Sequence, residues 1–139
     1  MIQRIQTVWL FLAVICAALT YKFPFYSGNI IDKDNVQRYE KLVASSNLIL
    51  LILTAGFIVG TTAIIFMYKS RKQQLWLTVV AACLSVLNLV IYFYEIKKFS
   101  SGNMSLTSIL AFAMPVFLIL AANGIRKDEK LIKSLDRLR

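Results

Sequence analysis

Residues 42–67, LVASSNLILLILTAGFIVGTTAIIFM, run without one charged side chain. A helix rises about 1.5 Å per residue and the hydrocarbon core of a bilayer is about 30 Å thick, so about twenty such residues cross it. Three more stretches repeat the pattern, at residues 5–23, 75–94 and 104–123, each fenced by charges or turn formers. Hydrophobic residues make up 58% of the 139-residue chain. The mean hydropathy is +0.67, too apolar for a water-soluble domain of this size. In lipid each backbone donor and acceptor must be paired internally, which leaves helices or closed barrels. Barrel strands alternate apolar and polar over about ten residues. These runs are continuous and twice as long. The sequence therefore predicts an all-α membrane protein, a single antiparallel four-transmembrane-helix bundle over residues 1–139.

A cleaved signal peptide is the alternative for the first stretch, given Arg4 ahead of it and Cys16-Ala17-Ala18 near its end. Three further spans follow instead of a soluble domain, and Val14 and Ile15 make a poor lipoprotein cleavage box. Segment one is expected to be a span. With four spans, the basic residues fall unequally. Arg4, Lys69, Arg71, Lys72 and the tail cations Arg126, Lys127, Lys130, Lys133, Arg137 and Arg139 share one side. Lys22, Lys33, Arg38, Lys41, Lys97 and Lys98 share the other, where Asp32, Asp34 and Glu40 dilute them. Both termini are expected in the cytoplasm. Aromatic rings settle at headgroup level. Trp9, Tyr68 and Trp76 mark one set of span ends, and Tyr21, Phe23, Phe25, Tyr26, Tyr92, Phe93, Tyr94 and Phe99 the other.

The inventory of reactive groups is thin. The chain has no histidine, which removes the usual general base and the commonest metal ligand. Cys16 and Cys83 both lie within spans, without a second thiol at metal-binding spacing. Proton-coupled carriers and voltage sensors generally carry a charge at depth, and the centres of these spans hold no Asp, Glu, Lys or Arg. Asp32 and Asp34 lack the following glycine of a calcium loop. The expectation is a protein that is not an enzyme and carries no cofactor or metal.

Three constellations remain. Gly56-Phe57-Ile58-Val59-Gly60 forms a GxxxG groove where another helix backbone can approach, and the contact is expected mainly within the bundle. Along the third span, Thr78, Ala81, Ser85, Asn88, Tyr92 and Glu95 alternate spacings of three and four, which puts them on one helical face. Packing at Ala81 and Ser85 toward the bundle interior is one reading. A polar groove for a headgroup or solute, lined by Thr54, Asn88, Tyr92 and Glu95, is the other. Asn88 is expensive to leave unpaired in hydrocarbon. Measured along its helix, Thr54 lies at a similar depth, about 20 Å from the same edge, and is its expected partner.

The third constellation is the tail. Arg126, Lys130, Lys133 and Arg137 form a basic face, and Leu131, Leu135 and Leu138 an apolar one. This predicts a short amphipathic helix over residues 125–139, set off from span four by a break at Asn123-Gly124. It suits anionic lipid headgroups at the cytoplasmic face, or a membrane or cytoplasmic protein partner. Nucleic acid is a poor partner despite a pI near 9.8, because no aromatic-lined basic platform accompanies the charge. Residues 22–41 carry Pro24, Ser27-Gly28-Asn29 and Asp32 to Asn35 as turn formers and are expected to fold back over the outer face. Pro115 should kink span four near Ala111.

The opening Met1-Ile2-Gln3-Arg4-Ile5-Gln6 and the ending Ile125-Arg126-Lys127-Asp128-Glu129-Lys130-Leu131, with Ser134 and Asp136-Arg137-Leu138-Arg139, resemble a bacterial family catalogued as domain of unknown function 4293. The resemblance covers the whole chain, with its specificity in the two termini. It implies a short four-span protein of a Gram-negative-type inner membrane and brings no catalytic residues. Two functions stay open: a non-catalytic membrane subunit or scaffold acting through helix contacts and its tail, and a small lipid- or solute-binding or transport module built on the third span.

Overall fold

The computed structural model describes residues 5–31, 37–67 and 70–136. Arg4, the turn formers at 32–35, Tyr68, Lys69, Arg137 and Arg139 therefore lie outside the described residues. Four helices account for most of the rest: α1 (Ile5–Leu19), α2 (Leu48–Phe66), α3 (Arg71–Ile96) and α4 (Ile109–Asp136). The last three are long and apolar enough to cross a membrane, while α1 is a shorter apolar helix of 15 residues. They pack as an antiparallel ring in which α1 touches α2 and α4, and α3 touches the same two. Large apolar side chains cover the outside: Val59, Phe66 and Trp76 are each more than two-thirds exposed. Water would not tolerate that surface, and lipid does.

Two helices begin later than hydropathy predicts. Residues 42–47 look like span, yet α2 starts at Leu48. Short polar side chains take over the backbone there. The Ser46 hydroxyl accepts from the Val43 amide at 2.9 Å and donates to the Lys41 carbonyl at 3.1 Å. Asn47 then caps the helix, its Oδ1 accepting from the Ile49 amide at 3.0 Å. Span four likewise opens with a 3-10 turn at Leu106–Ser108 before α4 begins. Pro115 sits inside α4 without ending it.

The all-α expectation needs a correction. A three-stranded antiparallel sheet lies at the bundle end where α1 and α3 finish, formed by β1 (Tyr26–Ile31), β2 (Gln37–Leu42) and β3 (Ser101–Met104) in the order β2-β1-β3. Gly28 pairs with Glu40 on one side and Gly102 on the other. The second pairing is unusually close, since a Cβ on Gly28 would lie 2.8 Å from the Gly102 Cα, and one on Gly102 would lie 2.6 Å from the Gly28 Cα. Neither position has room for a side chain.

Phe25 joins the sheet to the bundle. Its amide donates to the Leu42 carbonyl at 2.7 Å, and its carbonyl accepts from Ser105 at 3.1 Å, so both ladders extend inward by one residue. The ring is almost fully buried, stacked on Tyr92 at 4.5 Å and flanked by Phe93 and Phe112 at about 6 Å. Sequence placed Phe25 and Tyr92 in an interfacial belt. The structure makes them the plug beneath the sheet, because the strand that follows Pro24 carries Phe25 over the bundle mouth. Phe23 and Tyr94 remain outward.

A second correction concerns the tail. No break occurs at Asn123-Gly124, and α4 runs unbroken from Ile109 to Asp136. Glycine is there for proximity, since a Cβ on Gly124 would sit 3.2 Å from the Gln6 Cβ of α1. Residues 125–136 of the expected separate helix are the last three turns of the fourth one.

Candidate functional site

The polar face of α3 was the leading candidate, and all of it turns inward. Thr78, Ala81, Ser85, Asn88, Tyr92 and Glu95 are each at most 8% exposed, while the residues between them are mostly exposed and apolar. The periodicity extends one turn further than the sequence reading took it. Gln74, also buried, continues the spacing below Thr78. Alternation of three and four on a helix is the sign of a seam against other helices, and Gln74 obeys it.

Most of these groups find partners close at hand. Thr78 Oγ1 donates to the Gln74 carbonyl at 2.7 Å, and Ser85 Oγ to the Ala82 carbonyl at 2.7 Å. Both hydroxyls are thus satisfied by their own helix. Asn88 reaches across to α2, where its Nδ2 donates to Thr54 Oγ1 at 3.1 Å. That is the pair expected from depth along the two helices. Gln74 Nε2 donates to the Ile64 carbonyl of α2 at 3.3 Å. Tyr92 contributes its ring to the plug.

Glu95 ends the stripe and ties two helix ends together. It accepts from Asn47 Nδ2 at 2.8 Å and from Lys98 Nζ at 2.8 and 2.9 Å. Asn47 is also the N-cap of α2, so one amide both starts that helix and clamps it to the end of α3. A buried carboxylate with two donors, one of them charged, is an anchored structural group.

Some buried polar atoms lack hydrogen-bond partners among the described residues. They are Gln6 Nε2 and Oε1, Thr61 Oγ1, Gln74 Oε1, Asn88 Oδ1 and the Tyr92 hydroxyl. Gln6 went unnoticed in the sequence, although it shares a face with Leu10, Ala13 and Ala17 at helical spacing, all buried. Gln6, Thr61 and Gln74 come from three different helices. The inside of this bundle is more polar than its outside, as expected where lipid replaces water as the solvent.

The glycine pair behaves differently from expectation. Gly56 and Gly60 face outward, and a Cβ on either would meet nothing within 4 Å. They are not packing positions within the bundle. The helix ring gives α2 its contacts through Leu50, Thr54, Phe57, Thr61 and Ile64 instead, all buried, and the glycines fall outside that face. Gly124 is the glycine that lets two helices of this chain approach closely. Of the tail cations, Arg126 and Lys127 are exposed, and Lys130 and Lys133 lie on the last turns of α4.

Among the described residues, no three of the metal-binding types His, Cys, Asp and Glu come together. A cleft of about 430 Å³ opens between α3 and α4 on the side of α3 away from the polar stripe. These features define a class, a small helical bundle with a polar stripe buried in an apolar core, an apolar exterior and a sheet capping one end. The family model described as domain of unknown function (DUF4293) matches residues 2–138, and the chain belongs to that family. No curated protein and no solved structure matches the chain.

Proposed function

We propose that the chain is a four-span protein of a bacterial inner membrane, with both termini in the cytoplasm. It works without catalysis as a subunit or scaffold, through outward helix faces and a basic cytoplasmic tail. The observation that carries this reading is the burial of the α3 stripe. Its hydrogen bonds run to α3 itself, to α2 with its Asn47 cap, and to Lys98. The atoms without a partner among the described residues, Gln74 Oε1, Asn88 Oδ1 and the Tyr92 hydroxyl, are buried away from the surface. Two further features support it. The Gly56 and Gly60 face is open to a helix from outside the chain. The unbroken α4 makes the cations from Arg126 onward a stiff extension of the bundle, placed for anionic headgroups or a protein partner. The α1 helix is short, but it packs lengthwise against α2 and α4, and residues 20–23 add to its reach. The alternative of a transport or solute-binding module on the third span rests on a polar groove, and that face is occupied by α2 and Phe25. Nucleic acid has no part in either reading.

Topology is tested with a reporter enzyme that is active only in the cytoplasm, fused after Arg139, together with a cysteine at the exposed Tyr39 in a cysteine-free background. The reporter should be active, and a membrane-impermeant maleimide should label Tyr39→Cys in intact cells. An inactive reporter and a protected cysteine would reverse the orientation. The scaffold role is tested by crosslinking in membranes and mass spectrometry. A Lys127→Glu, Lys130→Glu, Lys133→Glu variant should lose a specific crosslinked protein that wild type retains. An unchanged crosslinking pattern would remove the tail from the proposal.

A further inference from the structure

The α3–α4 cleft is a feature the scaffold reading does not use. Val79, Cys83 and Val86 line it from α3, and Pro115, Ala122 and Arg126 from α4. The lining is apolar along its length, with Asn123 and Arg126 at one end. Ala82 and Ala122 explain the space, because two small side chains sit where larger ones would close it. Length and charge identify the occupant. From Pro115 to Arg126 is about 16 Å along a helix, and one leaflet of a bilayer core is about 15 Å deep. The cleft therefore extends for one leaflet and ends at a guanidinium where headgroup phosphates would lie. Exposed Lys72, on the first turn of α3, adds positive charge at the same end.

We propose that this cleft seats one acyl chain of an anionic phospholipid, with Arg126 holding its phosphate. The guanidinium fork matches phosphate oxygens in a way a lysine does not. Asn123 beside it supplies an amide donor for the remaining oxygens or the glycerol hydroxyls. The inference rests on the membrane placement of α3 and α4 and is independent of any protein partner.

The test uses full-length protein, stripped of lipid in detergent and supplied with phosphatidylglycerol or phosphatidylcholine of the same chains, and bound lipid is counted by native mass spectrometry. Wild type should retain phosphatidylglycerol in preference. Arg126→Gln should lower that preference by about tenfold, as loss of a charged hydrogen bond predicts. Lys97→Gln, an exposed cation at the opposite end of α3 and outside the lining, should stay within about twofold of wild type, since only diffuse attraction is lost. Ala122→Phe should reduce retention of both lipids by filling the cleft, with helicity by circular dichroism as the check on its fold. Equal retention of the two lipids by wild type would overturn the proposal. So would equal losses for Arg126→Gln and Lys97→Gln. A lipid-free dimer that Ala122→Phe dissociates would assign the cleft to a second copy instead. Release of the chain from membranes by an alkaline wash would remove the membrane placement itself, a failure separate from any of these.

Discussion

Asn88 and Thr54 offer the sharpest test of the bundle interior, because the two halves of one hydrogen bond should respond unequally to deletion. Asn88 Nδ2 donates to Thr54 Oγ1 at 3.1 Å, while Asn88 Oδ1 has no partner among the described residues. Both residues are at most 2% exposed. Replacing Thr54 by valine preserves shape but leaves the whole amide buried without a partner, which costs about 1–3 kcal/mol. Replacing Asn88 by leucine removes a bond typically worth about 0.6 kcal/mol in membranes, and seldom above about 1.7. The same change removes the unsatisfied Oδ1 with it. The remaining Thr54 hydroxyl can turn to a carbonyl one turn back in its own helix. Asn88→Leu should therefore fall within about 1 kcal/mol of wild type. The double variant should match Asn88→Leu alone, because the damage done by Thr54→Val exists only while the amide is present. Reversible unfolding in mixed micelles, followed by circular dichroism, gives the four stabilities of the cycle. A coupling as large as the Thr54→Val cost, about 1–3 kcal/mol, is expected. Strictly additive effects, or Asn88→Leu as the worse single change, would refute the reasoning.

The glycines should sort by what surrounds them. Gly124→Leu must displace Gln6 and should destabilise by about 1–3 kcal/mol, whereas Gly56→Leu and Gly60→Leu should leave the isolated chain unaffected or slightly more stable, given glycine's poor helix propensity. Thermal melts in detergent decide this, and equal losses at positions 60 and 124 would contradict the packing. Gly28→Val should separate β1 from β3, seen as faster hydrogen exchange at the Ser105 amide, which donates to the Phe25 carbonyl. Unchanged protection there would mean that the close Gly28–Gly102 pairing does not hold in solution.

Hydropathy located the helices because their segments are apolar on nearly every side, three of them long enough to cross a membrane. It missed the sheet for a physical reason. A half-buried strand announces itself by alternation, but all of Gln37–Leu42 except Leu42 is exposed, and Ser101–Met104 is exposed throughout. Strands with no face to bury leave no pattern. Their traces are chemical, in Gly28 and Gly102, which permit close pairing, and in Phe25, too apolar for an exposed loop. The polar stripe of α3 was legible for the opposite reason, since in lipid a polar face stands out as clearly as an apolar one does in water. What periodicity cannot supply is the neighbour. The depth argument found Thr54 for Asn88 because both are measured from the same membrane edge, but it had no means of finding Phe25 for Tyr92, which arrives from a loop.

Glycine shows most clearly where local reading ends. Gly56-xxx-Gly60 has the pattern of a packing groove and faces open space, whereas Asn123-Gly124 has the pattern of a helix stop and lies in the middle of a continuous helix. Both outcomes follow from neighbours. A C-terminal glycine ends a helix when its backbone turns left-handed to satisfy the last carbonyls. Position 124 has no such need, because the helix continues for three turns and the missing side chain lets α1 come close at Gln6. The consequence is mechanical. A break would have left the basic tail free to move apart from the bundle. With Gly124 wedged against Gln6, Arg126 and Lys127 are held in fixed orientation to α1, and the last turns of α4 continue from them without a joint. A force on the tail would then reach the bundle through an uninterrupted helix, and the approach of Gly124 to Gln6 is one point of the α1–α4 interface where α1 would feel it.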